Sequence, residues 1–356
     1  MRRVGGKETE RHVLVDGNNL VHRAYYAYVE ARFGRGEPLL SGPGGYPTGV
    51  IFGSLSMLSN WLYSIPDITK ISVFFDGYSR RRKELDPTYK SNRDEASNRG
   101  LKLVDPSSTG IRFDKILKDG YAATCEVDIV AHIFSLLGCD IYHHPEEEAD
   151  DLIASFCKSH PDSIRVIVSA DKDFFQLLVD PRVACYVPGL DGDRFFDADK
   201  STQHWARMNN GKHPAIPPAH VRMFKALCGD SSDGIHGVDR LRKKVAAALC
   251  HHKSIDDLYS SGLPGMSASE REKSFALRDR VTLNYDLVGF DNEINLPKFL
   301  REAGRQDFQI ALDIIRQDFG MLSIDIAPFR TGTQIAPSIA PSIPESIPMD
   351  SWLSDI

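Results

Sequence analysis

Acidic side chains stand at points where the chain reverses. Asp16 lies in "LVDGNNL", Asp76 in "FFDG", Glu148, Asp150 and Asp151 in "EEEADDL", and Asp171 and Asp173 in "SADKDFFQLL". Two more, Asp230 and Asp233, sit three residues apart among the glycines and serines of "GDSSDGIHGV". No single stretch specifies chemistry, because an acid in a first helical turn complements the helix dipole and Asp-Gly is a common turn. The set does. If the first seven acids converge, like charges raise one another's pKa and work against folding unless cations relieve them. Hard oxygen donors without a His or Cys partner suit Mg²⁺ or Mn²⁺ rather than zinc. Two such ions, roughly 4 Å apart, are the usual device for hydrolysing phosphodiesters, one activating water and one stabilising the leaving oxygen.

Cationic segments lie close by. "SRRRKELDPTYKSNR" (79–93) follows Asp76 and carries Arg80, Arg81, Arg82, Lys83, Lys90 and Arg93 against two acids. Most charge runs are solvated loops, but this placement suits a phosphate backbone. Tyr89, like Tyr25 and Tyr26, offers a ring for base stacking, with packing as the alternative role. A second basic run, Arg240, Arg242, Lys243 and Lys244, closes the stretch that begins at Asp230. The histidine pairs His143-His144 and His251-His252 have no acid or Cys at a ligating spacing, and the expectation is surface or packing residues. With a net charge of −6 over 356 residues, any nucleic-acid affinity must come from local patches rather than from the sum.

The elements that position these groups follow from pattern. "RHVLVD", "ITKISVFFD" and "SIRVIVSAD" are apolar runs ending at an acid, and between them lie helical patterns such as "VIFGSLSMLSNWLYSI" and "EVDIVAHIFSLLGC". Alternating strands and helices predict an α/β fold, Rossmann-like, with a mostly parallel sheet and helices on both faces. Its functional crevice is expected at the carboxyl ends of the strands. Residues from about 77 to 124 lack strand periodicity and predict an excursion from the sheet. From 216 to 328 the pattern is mainly helical, and 329–356 is a Pro/Ser-rich tail expected to be disordered. Six scattered cysteines without a CxxC pair suggest core residues in a reducing compartment. No apolar run is long enough to span a bilayer, and the expected location is the cytoplasm.

Taken in order, "LVDGNNL", "PTGVIFG", "FFDG", "YKSNR", "EEEADDL", "SADKDFFQLL" and "GDSSDGIHGV" resemble the bacterial and phage 5′-nuclease family. This is the PIN-like flap endonuclease/5′-3′ exonuclease fold also found at the front of bacterial DNA polymerase I. The resemblance runs from about residue 12 to at least 250. It implies that Asp16, Asp76, Glu148, Asp150, Asp151, Asp171, Asp173, Asp230 and Asp233 are metal ligands for two or more Mg²⁺, with Mn²⁺ as a substitute. It implies that Lys90, Arg93 and Arg23 contact the reacting phosphate, and that the excursion after Asp76 is a helical arch for the 5′ strand. Residues 216–260 would form a helix-three-turn-helix element gripping duplex DNA, with Gly234 and Gly237 at its turn. One departure is plain. The family reads G-V-x-G-I-G-x-K where this chain has "GVDRLRKK". The family's glycines let backbone amides approach phosphate around a K⁺ ion, and Arg240 and Arg242 argue against that approach here.

The resulting expectation is a metal-dependent nuclease domain at 11–215, a helical DNA-binding region at 216–328 and a tail at 329–356. The chain would act alone, as a monomer without a polymerase domain, on DNA with a 5′ flap or 5′ end and on RNA primers. The tail's "MDSWLSDI" would be a candidate contact for a replication protein. Two alternatives stay open: a PIN-like ribonuclease, and a non-catalytic binder of branched DNA.

Overall fold

The computed structural model describes residues 10–43, 45, 47–91, 127–189, 194–211, 215–238, 241, 243–291, 294, 296 and 305–330. By their internal contacts they fall into two compact bodies, each discontinuous in sequence. Of the described residues, the first takes in those within 10–78, 127–170 and 294–330, and the second those within 79–91 and 171–291.

The first body is built on four parallel strands, β1 (Arg11–Asp16), β2 (Lys70–Phe75), β3 (Asp140–His143) and β4 (Ile164–Val168), in the order β3-β2-β1-β4. Val15 pairs with Val73 and with Val168, so β1 is flanked on both sides. Five of the six residues in β1 and in β2 are buried, the near-continuous apolar run of a parallel strand covered on two faces. Helices α1 (Gly17–Tyr25), α2 (Gly49–Tyr63), α3 (Val127–Leu136) and α4 (Ala149–Ser159) supply cover, close to where periodicity predicts them. Phe74 stacks on Tyr142 at 4.9 Å, with Phe156 edge-on to both. The chain's later segment returns to this body. Ser59 Oγ donates to the Asp325 carbonyl at 2.5 Å, and Phe329 stacks on Phe134.

The second body is mainly helical. An antiparallel pair, β5 (Val183–Tyr186) with β6 (Phe195–Phe196), precedes α5 (Ala198–Gly211) and α6 (Val221–Cys228). A two-residue ribbon follows, β7 (Gly229–Asp230) against β8 (Ile235–His236), and then α7 (Lys243–Leu249) and α8 (Arg278–Leu287). Fully buried Asn284 of α8 clamps the ribbon to α6, donating to the carbonyls of Ala226 at 3.0 Å and His236 at 2.9 Å. Gly234 turns the ribbon with a φ of 71°. At Gly237 a Cβ would stand 2.2 Å from the Cys228 carbonyl carbon, so only glycine admits the two backbones.

Of the expected arch, the described part is the helix Arg80–Leu85 and the turn to Ser91; residues 92–126 lie outside the described residues, as does the tail from 331. Cys139, Cys157, Cys185 and Cys250 are buried free thiols. No helix among the described residues is long and apolar enough to cross a membrane.

Candidate metal centre

In the first body the acids sit where strands give way to helices. Asp16 ends β1 and caps α1: one oxygen accepts from the Asn19 N–H at 2.9 Å and the other from Ser169 Oγ at 2.8 Å. Asp76 follows β2 directly. Its Oδ1 accepts from the Ala149 N–H at 2.8 Å, and its own N–H donates to Asn18 Oδ1 at 2.9 Å, tying the β1 and β2 turns to the start of α4. Glu148 stands at the N-cap of α4, with Asp150 and Asp151 in its first turn; Glu148 and Asp151 are buried and Asp150 is half-buried. Strand ends and a helix N-terminus thus hold all five acids, as the sequence pattern predicts. Arg23 is half-buried in the last turn of α1.

The second body draws its acids together more tightly. Carboxylate oxygens of Asp173, Asp230 and Asp233 lie within 4.8 Å of one another, and among the described residues this is the one group of three or more metal-ligating side chains so close. Asp171 caps the 3₁₀ turn Lys172–Val179 and accepts from the Asp173 N–H at 2.8 Å, which sets the backbone of the latter. Asp230 Oδ1 accepts from the Ser232 N–H at 3.0 Å and from its hydroxyl at 2.5 Å. Lys225 of α6, only 7% exposed, sets its ammonium between Asp173 and Asp230, 2.6 Å from the latter. Burial works against both charges, yet the pair stays ionised. The Lys225 charge and hydrogen bond, together with Ser232, outweigh desolvation and hold the Asp230 carboxyl down at about 2. Burial lowers the Lys225 pKa, but the Asp230, Asp171 and Asp233 charges raise it by more. A cavity of about 410 Å³ opens here, lined by Ser91, Lys225, Asp230 and Gly234 among others.

Lys225 is the functional candidate that sequence reasoning missed. The available signal was a lone lysine in the apolar run "VRMFKALC", five residues before Asp230. Its ammonium shows that the fold already accommodates positive charge among these oxygens. Three hard carboxylates with no thiol or imidazole in the group therefore fit a Mg²⁺ or Mn²⁺ ion.

The "YKSNR" segment approaches the same acids. The Lys90 N–H donates to the Asp233 carbonyl at 2.9 Å, and Lys90 Nζ lies 3.8 Å from Asp233 Oδ1. That contact holds Lys90 at a φ of 54°, a left-handed conformation seldom adopted by residues other than glycine. Two expected DNA contacts are corrected. Tyr89 is 4% exposed, packed with Ile235, Leu287 and Val288, and its hydroxyl donates to Asp233 Oδ2 at 3.3 Å. It has no ring face open for a base. Arg82 is also 4% exposed, and its Nε donates to the Leu287 carbonyl at 2.8 Å at the C-terminus of α8, where orphan carbonyls and the helix dipole favour a cation. Arg81 joins it by donating to the Asp286 carbonyl at 3.3 Å. Arg80 is exposed and paired with Glu84, and Lys83 is half-exposed. Arg93, Arg240 and Arg242, and the side chains of Lys243 and Lys244, lie outside the described residues.

Residues 11–206 match the family described as 5′-3′ exonuclease, N-terminal resolvase-like domain. The chain belongs to that family. Among curated family relatives, it is 28% identical over 260 residues to DNA polymerase I of Synechocystis, matching 70% of this chain but only 23% of that protein's length. It is 27% identical over 259 residues to a 5′-3′ exonuclease of Buchnera aphidicola, across 72% of this chain and 71% of that one. The fold is similar to that of the phage T5 flap endonuclease crystallised with DNA and metal ions, with 19% identity, a TM-score of 0.54 and coverage of 87% of this chain and 95% of that one. It is equally similar to phage T5 5′-exonuclease with bound zinc, at 20% identity and a TM-score of 0.54, with the same coverage. These likenesses support an α/β fold with a mostly parallel sheet.

Proposed function

We propose that the chain is a divalent-metal-dependent 5′ nuclease that hydrolyses phosphodiesters in DNA with a 5′ flap or 5′ end and in RNA primers. The observation that carries this reading is the trio Asp173, Asp230 and Asp233, gathered around the Lys225 ammonium with Lys90 at its edge. Family membership supports it, as does a relative crystallised with DNA and metal ions. Bound Mg²⁺ would supply a water made more acidic and oriented for attack, and positive charge beside the leaving oxygen. Asp173, Asp230 and Asp233 would hold one ion through hard oxygens, and Asp16, Asp76, Glu148, Asp150 and Asp151 would ligate in the first body. Lys225 keeps Asp230 ionised, ready to ligate without a proton to lose. Lys90, set by its backbone bond to Asp233, faces its ammonium toward the acids, where it would neutralise a phosphate oxygen as charge develops. Arg23 and Arg93 are proposed as further phosphate contacts, and Arg240, Arg242, Lys243 and Lys244 as duplex contacts.

Labelled 5′-flap DNA and single-stranded RNA, each with Mg²⁺ or EDTA, test this reading. Mg²⁺-dependent cleavage near the flap junction is expected. Cleavage of RNA alone would favour a PIN-like ribonuclease, and tight flap binding without cleavage would favour a non-catalytic binder.

A further inference from the structure

Two histidines meet away from the acids. His220 ends the turn Pro218–His220 that leads into α6, and His251 follows α7 by two residues. Their rings cross at 72° with centroids 4.3 Å apart, and His220 Nε2 lies 3.1 Å from His251 Nδ1. The other ring nitrogen of His220, Nδ1, is 2.9 Å from the Cys250 carbonyl oxygen. A carbonyl only accepts, so Nδ1 carries the proton and Nε2 presents its lone pair toward His251. A metal-ligating imidazole needs that arrangement, with the tautomer fixed by an outward N–H to a backbone carbonyl.

His251 donates its Nδ1 proton to that lone pair. It is exposed, so its ring can pass the proton to Nε2 through solvent and free a second lone pair without net proton loss. With Zn–N bonds of about 2.0–2.1 Å in tetrahedral geometry, two ligand nitrogens stand roughly 3.3 Å apart. The observed 3.1 Å is within a few tenths of an ångström of that span. We infer that His220 and His251 form a two-imidazole site for a borderline divalent transition ion of the Zn²⁺ or Ni²⁺ class, with water filling the remaining positions.

Burial and the neighbouring His251 lower the His220 pKa, which keeps its imidazole neutral and able to ligate at neutral pH. Mg²⁺ prefers hard oxygen, so it does not compete for this site. The adjacent His252 does not join the pair, since its Nδ1 is 3.1 Å from Asp257 Oδ2. An ion here would tie the start of α6 to the end of α7, the helices before and after the ribbon that carries Asp230 and Asp233. The second body would then gain stability that grows with the logarithm of the free ion concentration above the Kd.

The test is calorimetric Zn²⁺ titration of the full chain in excess Mg²⁺, which masks the hard-oxygen sites, with thermal unfolding followed in parallel. Wild type and Asp173→Ala should both show a micromolar Zn²⁺ event and a Zn²⁺-dependent rise in Tm. His251→Gln, an exposed substitution that leaves folding intact, should weaken the event by ~10-fold or more and abolish the rise, with His220→Gln behaving alike where it folds. Unchanged Zn²⁺ affinity in His251→Gln, loss of the event in Asp173→Ala, or no event in wild type would each overturn the inference.

Discussion

The five acids of the parallel-sheet body are fixed within strand-to-helix turns, Asp16 by Asn19 and Ser169 and Asp76 by Asn18 and the first N–H of α4. In the helical body the acids come from a 3₁₀ turn and a ribbon. Their arrangement depends on a buried lysine of α6, with Lys90 and Tyr89 brought from more than a hundred residues away. The contrast is between acids placed by neutral hydrogen bonds among strand ends and acids placed by a buried countercharge. The acids of the sheet body need neighbouring strand ends to be correct, since Ser169, Asn18 and the Ala149 N–H reach them from other turns. Those of the helical body also need a partner cation and a packed tyrosine, and they should be the more sensitive to remote substitutions.

The largest expected effects lie at the trio itself. Asp173→Ala should lower flap cleavage by about 10³-fold or more, with several kcal/mol of charge stabilisation removed, while binding measured by fluorescence anisotropy stays close to wild type. Lys90→Ala should slow single-turnover cleavage by ~10²-fold and change DNA affinity less, because its ammonium acts on charge that develops during reaction. Lys225→Met should act on the helical body alone. It leaves Asp230 buried without its cation and should cost about 3–5 kcal/mol in denaturant unfolding; Mg²⁺ should restore more of that in Lys225→Met than it adds to wild type.

Smaller effects sharpen the same contrast. Arg82→Ala should destabilise by about 2–3 kcal/mol through stranded carbonyls at the end of α8, with an unchanged salt dependence of DNA binding. A reduced salt slope would return Arg82 to the DNA contacts. For pH, the Asp230 pKa is depressed on folding, so its contribution is complete above the ordinary value of 3.8 and is lost as pH falls toward about 2. Denaturation midpoints of metal-free wild type should drop between about pH 4 and pH 2, and Asp230→Asn should lack that part of the drop.

The same contrast governs what could be read in advance. A parallel strand announces itself as an apolar run, and the acid after it is visible because it follows closely in sequence, as at Asp16, Asp76 and Asp171, with Glu148 at a helix start. Lys225 was hidden, since a lysine in an amphipathic helix ordinarily points to water, and only Asp173 and Asp230 make its burial tolerable. Arg82 was misread for the matching reason. The carbonyls that satisfy it, at Leu287 and Gly289, are some two hundred residues distant, and a run of arginines shows nothing of them. Tyr89 carried no mark separating a stacking ring from a packed one until Ile235 and Leu287 were seen against it.

The central claim is that the carboxylate trio holds a divalent ion used in phosphodiester hydrolysis. Single-turnover cleavage of 5′-flap DNA across a Mg²⁺ series, in wild type, Asp230→Asn and Asp233→Asn, tests it most directly. The account predicts cleavage that requires Mg²⁺ in wild type, and in both variants a much slower rate whose Mg²⁺ dependence shifts to higher concentration. Cleavage that persists in EDTA, or variants matching wild type at every Mg²⁺ concentration, would contradict it.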